Sequence, residues 1–124
     1  MNLVDSSGWL EYFAGTPNAK HFAKPIESTS KLIVPTISML EVFKRVLAQR
    51  GEDLALQSIA LMRQGQIVDL DFSLSLMAAK LGVIHKLPLA DSIILATART
   101  CGAILWTQDA DFEGLDEVKY FPKS

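Results

Sequence analysis

Several things that would settle a protein's class at once are scarce or missing here. Only one of the 124 residues is cysteine, so no internal disulfide can form. Its neighbours Thr100 and Gly102 give Cys101 no metal-ligand spacing. A reducing cytosol is therefore expected, with Cys101 as a small buried hydrophobe. There is no basic surplus either: 12 Lys and Arg stand against 14 Asp and Glu, a formal net charge of -2. That excludes a globally basic surface and leaves any grip on a polyanion to local patches. No apolar run approaches the length of a membrane span, and Asp5 arrives before an apolar leader core could form, so a soluble cytoplasmic protein without membrane contact is expected. Sequence repeats, low-complexity tracts and linkers are also missing.

What is present is apolar and alternates in period. With 49% hydrophobic residues, the chain is expected to form one domain over residues 1–124, burying roughly two-thirds of its unfolded surface. Met1 to Val4 reads as a first strand, broken at Asp5. Trp9, Leu10, Tyr12 and Phe13 suggest a helix ended by Gly15. Residues 18–30 suggest a short helix, or two interrupted by Pro25. Lys31 to Val34 reads as a strand stopped by Pro35. Helical spacing runs from Ile37 to Arg50 and again from Glu52 to Gln64, each closed by a glycine. Gln66 to Leu70 is a third strand. A helix capped by Asp71 or Ser73 is expected to stop at Gly82, with residues 83–88 as a connector. Leu89 to Thr100 is apolar nearly all round, hence the most buried helix. It leads into Gly102 to Trp106, which ends abruptly on Thr107, Gln108, Asp109, Ala110 and Asp111. Val118 to Phe121 reads as a last edge strand. Strands separated by helices predict an α/β fold: three layers, α/β/α, around a central, mostly parallel sheet of four to five strands.

In such sheets the functional crevice lies beyond the carboxyl ends of the strands. Asp5 and Asp109 stand at two of those ends, and Glu41 and Asp91 lie in the first turns of helices that can face the same place. Each has a plainer reading. Asp5 can cap the helix after it by accepting from Ser7 or Gly8. Glu41, three residues after Ser38, fits a capping box. Asp91 suits a helix dipole, although its apolar surroundings demand a partner. Asp109 and Asp111 can be turn residues. Taken together, carboxylates within 4–5 Å repel by roughly 3–4 kcal/mol per pair at an effective dielectric near 20. No basic residue adjoins Asp5, Asp91 or Asp109 in sequence, so a hard divalent cation, Mg²⁺ or Mn²⁺, fits best as counter-charge.

These motifs resemble those of the PIN-domain ribonucleases, above all the short VapC-type toxins of toxin-antitoxin pairs, and the likeness runs nearly end to end. Val4-Asp5-Ser6-Ser7 is similar to the family's opening motif, and Glu41 in Ile37 to Val42 to its helical glutamate. Leu89-Ala90-Asp91-Ser92-Ile93-Ile94-Leu95-Ala96-Thr97-Ala98 is similar to its most recognisable segment. Thr107-Gln108-Asp109-Ala110-Asp111-Phe112 is similar to its Thr-x-Asp-x-Asp-Phe ending. The helix between Glu52 and Gln64 carries no motif.

The resemblance implies a PIN-like fold and a metal-dependent endoribonuclease. Asp5 and Asp91 would be the main ligands of Mg²⁺ or Mn²⁺, and Asp109 and Glu41 would complete the acidic site. Thr107 would orient Asp5, a water or the phosphate, with Asp111 as an outer ligand. It also implies an RNA substrate, a homodimer, and a cognate antitoxin whose C-terminal segment covers the acidic groove.

Lys44 and Arg45, three and four residues after Glu41, can meet RNA phosphates at the rim or be solvated surface charges. Arg50, Lys80, His85, Lys86 and Arg99 are further candidates for RNA contact, with His85 read as surface rather than general base. Trp9, Tyr12 and Phe13 suit core packing better than base stacking. Two other classes stay open: a receiver-like phosphoacceptor domain, using Thr107 and Lys119, and a catalytically silent binding module of the same fold.

Overall fold

In the computed structural model, which describes residues 1–123, the short apolar runs lie side by side as strands. β1 (Asn2–Val4), β2 (Leu32–Pro35), β3 (Gln66–Val68), β4 (Ile104–Thr107) and β5 (Val118–Tyr120) make one sheet in the order β3-β2-β1-β4-β5. Every pairing is parallel. Between them run α1 (Ser6–Ala14), α2 (Ala19–Glu27), α3 (Thr36–Arg50), α4 (Glu52–Met62), α5 (Phe72–His85) and α6 (Leu89–Thr100). The α/β expectation holds, with all five strands parallel.

Residues alternate across a strand, and here both sides are apolar, so both faces must be covered. Leu3, Ile33 and Leu105 pack with Leu74, Ala78 and Leu81 of α5 and with Ile93, Ile94 and Leu95 of α6. Their neighbours Val4, Leu32, Val34 and Trp106 pack on the opposite side with Trp9, Phe22, Val42, Ala55 and Met62 from α1 to α4. Three layers follow from that alternation. Trp9 is fully buried, and Tyr12 and Phe13 pack against the same core, which is the plainer of their two readings.

Helix α6 is the most enclosed of the helices, with Ser92 to Ala98 all buried. Among the described residues no single helix is long and apolar enough to cross a membrane.

Four boundaries differ from expectation for identifiable reasons. Pro25 does not interrupt its helix: it falls in the last turn of α2, where only a single ring of the ladder is lost before the end. Pro35 belongs to β2, pairing in register with Val68, and is tolerated because β1 pairs with β2 only as far as Ile33. Strand β3 ends at Val68 rather than Leu70. Helix α5 runs through Gly82 to His85 and ends on Lys86 in the left-handed region, φ 54°. Gly82 is no stop. A Cβ there would lie 2.6 Å from Ser92 Oγ, so the missing side chain lets α5 and α6 approach.

Candidate active site at the carboxyl edge of the sheet

Strand order reverses between β1 and β4, since the chain builds outward from β1 through β2 and β3 before returning to its other side. A crevice opens at such a switch point beyond the strand ends. Asp5 follows β1 directly and Thr107 ends β4, so both arrive there from residues that pair in the sheet interior, Val4 with Trp106.

Asp5 is 2% exposed and its carboxylate is held on every side. Oδ1 accepts from the Gly8 amide at 2.9 Å, which caps α1, and from Ser7 Oγ at 2.8 Å. Oδ2 accepts from Thr107 Oγ1 at 2.7 Å. The capping role and the site role therefore belong to the same carboxylate. Burial dominates its ionisation, lifting the pKa from 3.8 to about 6; the three hydrogen bonds pull it down and the Asp109 charge adds to the rise.

Thr107 is fully buried and serves both neighbours. While donating to Asp5 it accepts from the Asp109 amide at 2.9 Å, and Asp109 Oδ1 in turn accepts from the Asp111 amide at 2.9 Å. Asp109 thus caps a 3-10 turn over Ala110–Phe112. Asp91, in the first turn of α6, faces this loop. Burial lifts its pKa to about 8, followed by the charge of Asp109, a hydrogen bond with it, and the charges of Asp5 and Asp111. Carboxylate oxygens of Asp91, Asp109 and Asp111 lie within 4.8 Å of one another.

The donor set is all carboxylate oxygen, and no basic side chain figures among the groups that shift Asp5 or Asp91. That chemistry fits a hard divalent cation. Asp111, expected only at the periphery, has a carboxylate oxygen within 4.8 Å of those of Asp91 and Asp109.

Glu41 reaches the same place by an unexpected route. Helix α3 begins at Thr36, so Ser38 is already inside it and its buried hydroxyl has no partner among the described residues. The capping box does not form. Instead Glu41 Oε1 accepts from Ser6 Oγ at 2.6 Å, across 35 residues of sequence. Asp5, Glu41, Asp91 and Asp109 line one cleft of about 540 Å³, with Lys44 and Arg45 on its α3 wall. Ser6 and Ser7 were missed as functional side chains. Their signal is two hydroxyls directly after an acid at a strand end, within the Val4-Asp5-Ser6-Ser7 motif.

Other candidates lie elsewhere. Arg50 lines a neighbouring groove, and His85, Lys80, Lys86 and Arg99 do not line the acidic cleft. Cys101 is half-buried against the α5 and α6 core, and burial raises its thiol pKa. The receiver-like alternative fails on topology. That fold orders its strands 2-1-3-4-5, whereas this sheet runs 3-2-1-4-5. Its lysine is misplaced as well, since Lys119 Nζ lies over the Trp106 ring, 4.4 Å from the centroid.

The doubly bonded Thr107 hydroxyl gives a direct test. Thr107→Val keeps the shape but leaves the Asp109 amide and Asp5 Oδ2 each short of a partner, and is expected to cost about 1–3 kcal/mol. Urea unfolding measures it, and an unchanged midpoint would refute the role given to this hydroxyl.

A family model described as PIN domain matches residues 3–118. No curated protein matches the chain by sequence. Among solved structures it is similar to a toxin-antitoxin complex from Klebsiella pneumoniae, at 22% identity and TM-score 0.84 over 99% of this chain and 100% of that one. It is similar to VapC20 of Mycobacterium tuberculosis, described as a sarcin-ricin loop cleaving toxin, at 17% identity and TM-score 0.77 over 94% and 95%. It is also similar to DNA-bound VapBC from Salmonella typhimurium, at 12% identity and TM-score 0.74 over 98% of each chain. At such identities these likenesses speak for the fold. The family match spans almost the whole sequence, and the chain belongs to the PIN domain family.

Proposed function

We propose that this protein is a metal-dependent endoribonuclease, the toxin of a toxin-antitoxin pair, acting in the cytoplasm. The observation that carries the reading is the convergence of Asp5, Glu41, Asp91 and Asp109 from four separate elements on one cleft. Asp5 and Asp91 would be the main ligands of Mg²⁺ or Mn²⁺, with Asp109 and Glu41 completing the acidic site and Asp111, whose carboxylate lies within 4.8 Å of those of Asp91 and Asp109, as an outer ligand. Bound there, such an ion lowers the pKa of a coordinated water and neutralises charge on a phosphodiester. The chain does the rest. Thr107, Ser7 and the Gly8 amide fix the Asp5 carboxylate, and Ser6 fixes Glu41. Lys44 and Arg45 meet RNA phosphates at the rim, offsetting the repulsion between an acidic mouth and a polyanion.

An antitoxin partner is supported by structural neighbours described as a toxin-antitoxin complex and as a member of the VapBC family of toxin-antitoxin systems. A groove between α1, α3 and α4 with both apolar and polar lining, Leu54 and Leu61 beside Arg45 and Arg50, shares Leu10 and Arg45 with the acidic cleft, which suits a segment laid over both. A homodimer is part of the reading. Phe72, Val83, Ile84 and Leu89 are exposed by 67–81% around α5, surface that a second copy would cover.

Purified protein is expected to cut RNA internally with Mn²⁺ or Mg²⁺ and to stop on EDTA addition. Intact RNA under both conditions would leave a silent binding module of this fold.

Ion binding is also expected to show in stability. Asp5 and Asp91 hold protons more tightly folded than unfolded. Their contribution is complete below about pH 4 and is lost as pH rises through about 6 and about 8. Metal-free protein should therefore lose thermal stability from about pH 5 to about pH 8. Because an ion displaces those protons, the rise in Tm on adding Mn²⁺ should grow over the same window. A Tm shift that shrinks toward pH 8 would contradict the ligand set.

A further inference from the structure

A second cavity, of about 470 Å³, lies between α2 and the β4–β5 edge, and its chemistry is opposite to that of the acidic cleft. Three lysines line it: Lys20 and Lys24, one helical turn apart on α2, and Lys119 from β5. All three are exposed, and no acidic side chain is among the described residues lining the cavity. Like charges at i and i+4 repel, a cost only partly offset by the place of Lys24 in the last turn of α2, where a cation suits the helix dipole.

Aromatic rings form the wall. His21 lies parallel to Phe121, with centroids 4.4 Å apart and planes 9° apart, and Phe121 lies near-parallel to Trp106 at 5.9 Å and 23°. Lys119 Nζ sits over Trp106 at 4.4 Å. His21 and Phe121 keep part of their surface in solvent.

This pocket is tied to the acidic site. The Phe121 amide donates to the Thr107 carbonyl at 2.8 Å, and Asn18, just ahead of α2, donates to both Gln108 and the Pro122 carbonyl. The residue that positions Asp5 thus also anchors the ring stack.

Resting on the ribonuclease reading, we propose that the Lys20, Lys24, Lys119 and His21–Phe121 pocket is a second binding site for single-stranded RNA, taking phosphates on the lysines and a base against the rings, outside the cleavage site. Lysines beside stacked aromatics are the general means of holding a single strand without reading its sequence. An acidic protein segment would use the lysines and leave the rings idle.

The test is fluorescence anisotropy of a labelled single-stranded RNA of about a dozen nucleotides, in EDTA, with probe integrity checked on a gel. The Lys24→Glu/Lys119→Glu protein is expected to bind about tenfold more weakly or worse than the parent, with the slope of log affinity against log salt smaller by about 1.4. His21→Ala should weaken binding while leaving that slope unchanged. Arg63→Glu/Lys31→Glu makes the same charge change at exposed residues outside the pocket and the acidic cleft and should have a much smaller effect.

Equal losses in the two double variants, or none in the first, would overturn the proposal. Tighter binding of an acidic peptide than of RNA would do so too. Binding is read without cleavage, so an inactive protein that still lost RNA affinity in Lys24→Glu/Lys119→Glu would refute the nuclease reading and leave this site standing.

Discussion

Asp91→Asn is expected to lower RNA cleavage on the order of a thousandfold, to abolish any growth arrest on expression, and to raise the Tm of the metal-free protein. The first two effects follow from removing one of three carboxylates whose oxygens lie within 4.8 Å. The third follows from electrostatics: burial and three neighbouring acids disfavour charge on Asp91, so a neutral amide of the same size relieves the folded state. Gain of stability together with loss of activity separates this outcome from simple misfolding. The Mn²⁺-induced Tm shift should shrink as well. If Asp91→Asn cuts RNA at the parental rate, the assignment of Asp91 is wrong.

The corresponding change at Asp5 needs more care. Asp5→Ala removes the acceptor that caps α1, a loss of about 1 kcal/mol. Asp5→Asn is the cleaner variant, because asparagine caps nearly as well. It should be equally inactive while keeping the helix start.

The second large effect is expected at a residue that touches no RNA. A Cβ on Gly8 would lie 2.6 Å from Val4 Cγ1 and 2.8 Å and 2.9 Å from two Phe22 ring atoms, and both neighbours are fully buried. Overpacking of that kind costs about 1–3 kcal/mol, against less than about 1 kcal/mol gained from alanine's helix propensity. Gly8→Ala should therefore lower the Tm by about 5–10 °C. Any shift of α1 also moves the Gly8 amide that holds Asp5 Oδ1, so cleavage should fall too. Differential scanning fluorimetry beside a cleavage assay reads both. A variant as stable and as active as the parent would show that the α1 to β1 approach is slack.

Much of this was legible in the sequence because the signals were local. Apolar runs of four residues broken by Asp5 or by Thr107 marked strands, and the apolar stretch from Ile93 to Ala98 marked the enclosed helix. Wherever the deciding contact was distant in sequence, local reading went astray. Gly82 looks like a helix stop because its reason, Ser92 on the next helix, is not in its neighbourhood. Ser38 and Glu41 have capping-box spacing, but the hydroxyl that takes Glu41 belongs to Ser6. Lys119 looked suited to an acidic pocket until the parallel β4–β5 pairing set it beside Trp106. Asp111 read as a turn residue, and its amide does make that turn; only its closeness to Asp91, from another element, gives it more.

The bond between Thr107 and Asp5 joins residues 102 positions apart, and β1 gains its β4 neighbour only when that late segment arrives. At a synthesis rate of about 5–20 residues per second, the first acid leaves the ribosome several seconds before the hydroxyl that orients it. A nascent chain, or one truncated ahead of β4, carries Asp5 and Glu41 without Asp109 and Asp111. The acidic cleft is therefore assembled late: its first two carboxylates wait, unoriented and without Asp109 and Asp111, until β4 has docked beside β1.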